Sequence, residues 1–419
     1  MKPMGPLPAE FAAQRGALRI GGAPAEDWIA RAGATPLFVY DMAMVAARIA
    51  RLRAALPAGV GVHYAVKANP CPPLVRAIAP LVDGLDIASA GELALVKAQA
   101  PGKPVSFAGP AKRDAELEAA IAAGVTINLE SEGEAARALV IAARLGVTPR
   151  LAVRVNPDFE LRGSGMKMGG RASPFGIDAA RVPALVRELL AAGAEWRGFH
   201  IFGGSQALDA AAIIEAQART LALAARLSTE AGAAPPLVNL GGGFGIPYFA
   251  GDAPLDVESV GAALGEALRA RAAILAETAF AIELGRWLVG ESGVYLARIV
   301  DRKESGGQIF LVTDGGLHHQ LAASGNFGTV VRRNYPIALA HQMGAAPAET
   351  VNVVGCLCTP LDRLGDQVAL PEARVGDVIA LFLAGAYGRS ASPNAFLGHA
   401  NPAEILAGGG IVPNAIFTS

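Results

Sequence analysis

The chain has 419 residues, long for one core, which sets an expectation of two domains. Lys and Arg number 36 against 37 Asp and Glu, so no net field favours nucleic acid or an anionic membrane, and a small-molecule partner is expected. Three cysteines make no disulfide framework, the opening "MKPMGPLPAEFAAQRG" lacks a signal-peptide core, and no window reaches the ~18 apolar residues of a membrane helix, so a cytoplasmic protein is expected.

Residues 1–34 hold a short strand-like "LRI", expected to pair with a β domain late in the chain. From about residue 60 to 290, short β-branched runs alternate with Ala/Leu/Arg-rich stretches of helical period. The strand candidates are "VHYAV" (62–66), "LDIA" (85–88), "VSFA" (105–108), "TINL" (126–129), "LAVRV" (151–155), "GFHIF" (198–202), "LVNL" (237–240) and "AIEL" (281–284). Eight such runs with helices between them predict a (β/α)8 TIM barrel over 35–290 rather than an open doubly wound sheet. Beyond 290, "VYLARIVDRK", "GQIFLVTD", "ETVNVVGCLC" and "RVGDVIALFLAGAYG" follow one another without regular helices, which predicts a mainly antiparallel β domain over 291–419.

Active sites of such barrels form where the strands end, so the residues after each run are the candidates. In "GVHYAVKANP" the alternation places Lys67 with His63 and Ala65 on one face, at the end of the first strand. Gly241, Gly242 and Gly243 follow the seventh strand, where backbone N–H groups could approach a phosphate or simply make a tight turn. Ser205 in "GGSQ", and Arg286 after Gly285 in "ELGRW", would add a hydroxyl and a guanidinium to the same anion. A lumen lysine beside a phosphate cradle suggests pyridoxal phosphate, with the lysine's pKa lowered by desolvation and a nearby cation. That cofactor needs a carboxylate at its pyridine nitrogen, and Glu283 within the eighth strand is the candidate; its alternative is a structural ion pair with Arg154.

Taken together, "YAVKAN", "GLDIASAGEL", "NLGGGFG", "ELGR" and "GAYG" resemble the ornithine, diaminopimelate and arginine decarboxylases of the alanine-racemase-like fold, over nearly the whole chain. The resemblance implies PLP-dependent decarboxylation of an amino acid, with the cofactor on Lys67. It also implies a homodimer whose sites are completed by the partner's C-terminal domain. "NPDFELRGSGMKMGG", "FHIFGGSQ", "TDGGLHHQLAASGNFG" and "CTPLD" look closer still to the exosortase-associated pyridoxal-dependent decarboxylases. Carried over by position, Glu283 meets the pyridine nitrogen, and Ser205, Gly241 to Gly243, Arg286 and Tyr387 contact phosphate or cofactor. Asp86 and Glu92 stand near Lys67. Phe202 takes the place of the histidine that stacks on the ring.

The family's "G-P-x-C-E-S-x-D" phrase reads "GCLCTPLD" here. Cys358 takes the catalytic cysteine's place, Asp362 the aspartate's, and Cys356 falls on the proline, leaving either thiol as proton donor. Thr359 stands where diaminopimelate decarboxylases carry a glutamate, and Ala322 or Ala323 where they carry an arginine. With Arg286, Thr359, Asp362 and Tyr387 as the substrate contacts, a meso-diaminopimelate site looks dismantled. An amino-acid racemase and a non-catalytic PLP-binding carrier or regulator remain the alternatives.

No metal site is expected, because "CLC" has no second Cys/His cluster beside it in sequence. His318 and His319 could face a substrate or fill an interface, and Arg332, Arg333 and Tyr335 in "VVRRNYP" could clamp a carboxylate or form a solvated face. The glycine-rich 162–176 stretch reads as a loop over the mouth, offering Lys167 or Arg171 to the substrate.

Overall fold

The computed structural model describes residues 1–11, 13–14, 16–160, 166–167, 172–326 and 332–408. All eight expected barrel strands form: Val60–Ala65, Gly84–Ile87, Val105–Phe107, Thr126–Leu129, Arg150–Asn156, Glu195–Ile201, Leu237–Gly242 and Ala279–Leu284. Neighbours pair in parallel, the fourth with the fifth and the eighth with the first, which closes the cylinder. Side chains at helix starts set the entry to several crossovers. Ser89 accepts from Glu92 N ahead of helix Ala90–Gln99, and Ser131 from Glu134 N ahead of Glu132–Leu145. Each such cap contributes about 1 kcal/mol.

The first strand ends at Ala65, one residue earlier than expected, and Lys67 lies in a single 3-10 turn, Val66–Ala68. Asn69 holds that turn. Its carbonyl accepts from Tyr64 OH (2.9 Å), its amide donates to Gly385 O (2.9 Å), and its side-chain oxygen accepts from Cys71 N (3.0 Å). The bond to Gly385 ties the lysine turn to the second domain.

That domain is mainly antiparallel, with strands Gly293–Ser305, Gln308–Thr313, Ile337–Leu339, Glu349–Val354, Arg363–Leu370 and Val378–Leu381 in one sheet. Two of its pairings are parallel, Gln308–Thr313 with Glu349–Val354 and Leu37–Asp41 with Ala403–Ala407. One expectation about the N-terminal part is corrected. Strand Leu37–Asp41, inside the stretch assigned to the barrel, pairs with Gly293–Leu296 and with Ala403–Ala407 instead. All five of its residues are buried, so it needs cover on both faces, which a sheet interior supplies. The "LRI" run joins a separate three-stranded sheet with Ala13–Gln14 and Ala23–Pro24. It turns back on itself at Gly21 and Gly22, both at positive φ, and reaches the β domain through Leu18 N, which donates to Ala340 O (2.7 Å). Among the described residues no helix is long and apolar enough to cross a membrane.

Candidate active site

At the C-terminal mouth of the barrel, one cavity is walled by Lys67, Phe202, Ser205, Gln206, Gly243, Glu283, Gly285, Arg286 and Tyr387. Lys67 Nζ lies 3.6 Å from Glu283 Oε1 and 5.7 Å from the centre of the Phe202 ring. Burial, the largest single effect, acts to lower the Lys67 pKa, but Glu283, Tyr387 and Asp86 together outweigh it and the net shift is upward. The expected lowering is thereby corrected: the nearest strong charge is an anion, not a cation.

Glu283 is buried within the eighth strand, and its Oε2 lies 3.0 Å from His200 Nε2. Burial alone would raise its pKa, yet Lys67 and His200 hold the carboxyl well below the usual range. Arg154 does not pair with it, since that guanidinium reaches Glu130 Oε1 at 2.7 Å. The alternative of an Arg154–Glu283 ion pair is corrected accordingly. Sequence reasoning passed over His200, although it stands two residues before Phe202 and so shares its strand face.

Asp86, in register with Ala65 on the neighbouring strand, meets His63 Nδ1 at 3.3 Å and does not line the cavity. Burial lowers the His63 pKa and Asp86 raises it, with a net rise. Glu92 accepts from Ala88 N at 2.6 Å, and burial raises its pKa.

The opposite end of the cavity is built for an anion. Ser205 Oγ is buried with no hydrogen-bond partner among the described residues. Arg286 starts the short helix after the eighth strand, its Nη1 donating to Tyr248 OH (2.9 Å) and its guanidinium stacking 4.6 Å from the centre of the Tyr387 ring. Tyr387 arrives from the second domain of the same chain, its N–H donating to Ala68 O at 2.7 Å. Tyr248 and Gln206 were not foreseen; Gln206 Nε2 donates to Ile246 O at 2.6 Å and shapes the turn beside Ser205. Of the three glycines, only Gly243 lines the cavity. Gly241 and Gly242 serve packing instead: a Cβ at Gly241 would stand 2.6 Å from Ile201 O, and one at Gly242 2.0 Å from Glu283 O. An unpartnered buried hydroxyl, a half-buried guanidinium, a flat aromatic, a lysine and a buried carboxylate are the donor set that pyridoxal phosphate requires.

The phrase "GCLCTPLD" lies elsewhere. Among the described residues, Cys358, Thr359 and Asp362 are absent from the wall of the Lys67 cavity. Cys358 is exposed. The Asp362 carboxylate accepts from Leu317 N (2.7 Å) and Leu357 N (2.9 Å), so it ties down its own loop. Arg332 Nη1 donates to Arg363 O (3.1 Å) beside that loop, Arg333 stacks on Phe249 near Asp252, and Tyr335 is buried against Tyr248. Met166–Lys167 pairs with Gly204–Ser205 across the mouth, while Arg171 and most of the 162–176 stretch lie outside the described residues.

Residues 42–290 match the family model "Pyridoxal-dependent decarboxylase, pyridoxal binding domain". The chain is 36% identical over 381 residues to the L-glutamyl-[BtrI acyl-carrier protein] decarboxylase of Niallia circulans, covering 89% of this chain and 88% of that one. It is 32% identical over 402 residues to the diaminopimelate decarboxylase of Archaeoglobus fulgidus, covering 95% and 94%. The crystal structure of diaminopimelate decarboxylase from M. jannaschii with L-lysine superposes with a TM-score of 0.84 at 25% identity, over 96% of this chain and 92% of that one. The chain belongs to the pyridoxal-dependent decarboxylase family: it is a carboxy-lyase acting on an amino acid, and its cofactor is pyridoxal phosphate.

Proposed function

We propose that this decarboxylase acts on an amino acid whose far end carries no free charge, and that each of its sites is completed by a second copy of the chain. The observation that carries the substrate reading is Thr359 in the place of an acid, on a loop whose one buried carboxylate, Asp362, is already taken by two backbone N–H groups. A distal ammonium would find no partner there, and an unpaired charge is costly to desolvate. The relative that acts on a carrier-bound glutamyl group supports the same reading. Decarboxylation at the α-carbon needs a free α-amino and α-carboxyl group, so a glutamyl group on a carrier must be joined through its γ-carboxyl, which removes the distal charge.

Bound in the cavity, pyridoxal phosphate supplies an electron sink for the pair left behind when the α-carbon–carboxylate bond breaks. Lys67 would hold the cofactor through its Nζ. Glu283, oriented by His200, keeps a proton on the pyridine nitrogen. Ser205, Gly243, Arg286 and Tyr387 would hold the phosphate, and Phe202 would pack beside the ring. Cys358 of the partner subunit delivers the proton that replaces carbon dioxide at the α-carbon. The exposed position of Cys358, outside its own chain's cavity, supports this shared site. The phrases "FHIFGGSQ" and "CTPLD" support placement in the exosortase-associated subgroup.

The test is steady-state kinetics of the PLP-loaded enzyme, with carbon dioxide and amine both measured. The panel is a γ-glutamyl thioester, glutamate, lysine, ornithine, arginine and meso-diaminopimelate. The thioester should give the highest kcat/KM. A higher value for meso-diaminopimelate would overturn the substrate reading while leaving the decarboxylase chemistry intact.

A further inference from the structure

We propose that His318, Cys356 and His399 form a zinc-binding site in the second domain, outside the Lys67 cavity. The three residues come from separate parts of the chain, yet each offers a ligand atom within 4.8 Å of the other two. The sequence expectation of no metal rested on the lack of a nearby Cys/His cluster, and folding assembles one.

His318 is the independent observation. It is fully buried, and neither of its ring nitrogens has a hydrogen-bond partner among the described residues. Buried polar groups in folded proteins are almost always satisfied, so an imidazole with two orphan nitrogens points to a missing ligand. Its neighbour His319 shows the ordinary arrangement, with Nδ1 3.0 Å from Tyr295 OH and Nε2 3.1 Å from Ala400 O. The His318 ring faces that of His399, centre to centre at 5.0 Å. Cys356 Sγ lies 3.9 and 3.8 Å from the two ring nitrogens of His399.

The spacing suits the metal. With Zn–S of about 2.3 Å and Zn–N of about 2.0–2.1 Å in a tetrahedron, sulfur and nitrogen stand about 3.5 Å apart. The Cys356–His399 pair is within a few tenths of an ångström of that, and His399, on an exposed turn, can move to close the rest. One thiolate and two imidazoles select zinc over calcium or magnesium, which prefer oxygen. Three protein ligands leave a fourth position for water. The metal would tie together the segment after strand Gln308–Thr313, the start of the "CLC" loop and the turn at His399. Cys358 lies two residues beyond Cys356, so the site would set the position of that loop.

The experiment uses PLP-loaded enzyme stripped with chelator and then titrated with zinc(II) by calorimetry and with cobalt(II) by visible absorption. Wild type should take up one metal per chain and develop the d–d bands of tetrahedral cobalt, at longer wavelength than the cofactor absorbs. His399→Ala, at an exposed position where folding is not at stake, and Cys356→Ser should each weaken binding by at least about tenfold. Absence of uptake by wild type, or wild-type affinity retained by both variants, would overturn the site.

Discussion

Glu283 joins two sequence-distant groups through its two oxygens, Lys67 at 3.6 Å and His200 at 3.0 Å. In the cofactor-free protein its carboxyl titrates below the unfolded value of about 4.3. The unfolded chain then binds a proton that the folded chain refuses, so the stability Glu283 contributes at neutral pH is lost as pH falls from about 5 through the folded pKa. Glu283→Gln should flatten that acid limb, read as urea midpoints measured from about pH 7 down to about pH 3. Equal slopes in the two proteins would show that other groups dominate the acid transition. At Cys358 the expectation is kinetic: Cys358→Ala should lower kcat by about 10²–10⁴ with little change in KM, as loss of a proton donor does. Lys67 and Glu283 were legible because each is a charge set in an apolar run of period two. His200 was not, since its tie to Glu283 depends on how strands six and eight stand across the closed barrel.

The seventh barrel strand shows how an element can mislead. Its glycine run reads as an anion cradle, but Gly242 is paired with Glu283, and a Cβ there would meet that residue's carbonyl at 2.0 Å. Gly242→Ala should force strands seven and eight apart and cost about 1–3 kcal/mol. Gly133→Ala, at an exposed position in helix Glu132–Leu145 whose new Cβ meets nothing nearer than Ser131 Oγ at 3.9 Å, is the control and should shift stability by no more than a few tenths of that. Thermal melts of both variants check this, and equal melting temperatures would remove the packing argument. Strand Leu37–Asp41 makes the same point about placement: its hydrophobicity announces a buried strand, but not which sheet buries it.

At the scale of the whole molecule, the proposal that Lys67 and Cys358 of the partner subunit share a site can be tested by mixing variants. Lys67→Ala and Cys358→Ala proteins, each inactive alone, should regain up to about a quarter of wild-type activity when mixed at equal concentration and allowed to exchange subunits. That figure follows from half the dimers being hybrid, with one of two sites intact, a population argument rather than a new interaction. Activity that stays at the level of the single variants after demonstrated exchange would place both residues in one chain.

The sequence by itself determined the (β/α)8 barrel, its eight strands, the trailing β domain and the lysine, carboxylate, serine and arginine of the cavity. These are local signals: strand alternation, helical period and polar residues at strand ends are each written within a few neighbouring positions. Only the tertiary structure decided that Leu37–Asp41 joins the second domain, that Asp362 is held by Leu317 and Leu357 N–H groups, and that His318, Cys356 and His399 meet. Those outcomes depend on which distant segments come to lie side by side. That is settled by sheet closure and packing of the whole chain, and no local period encodes it.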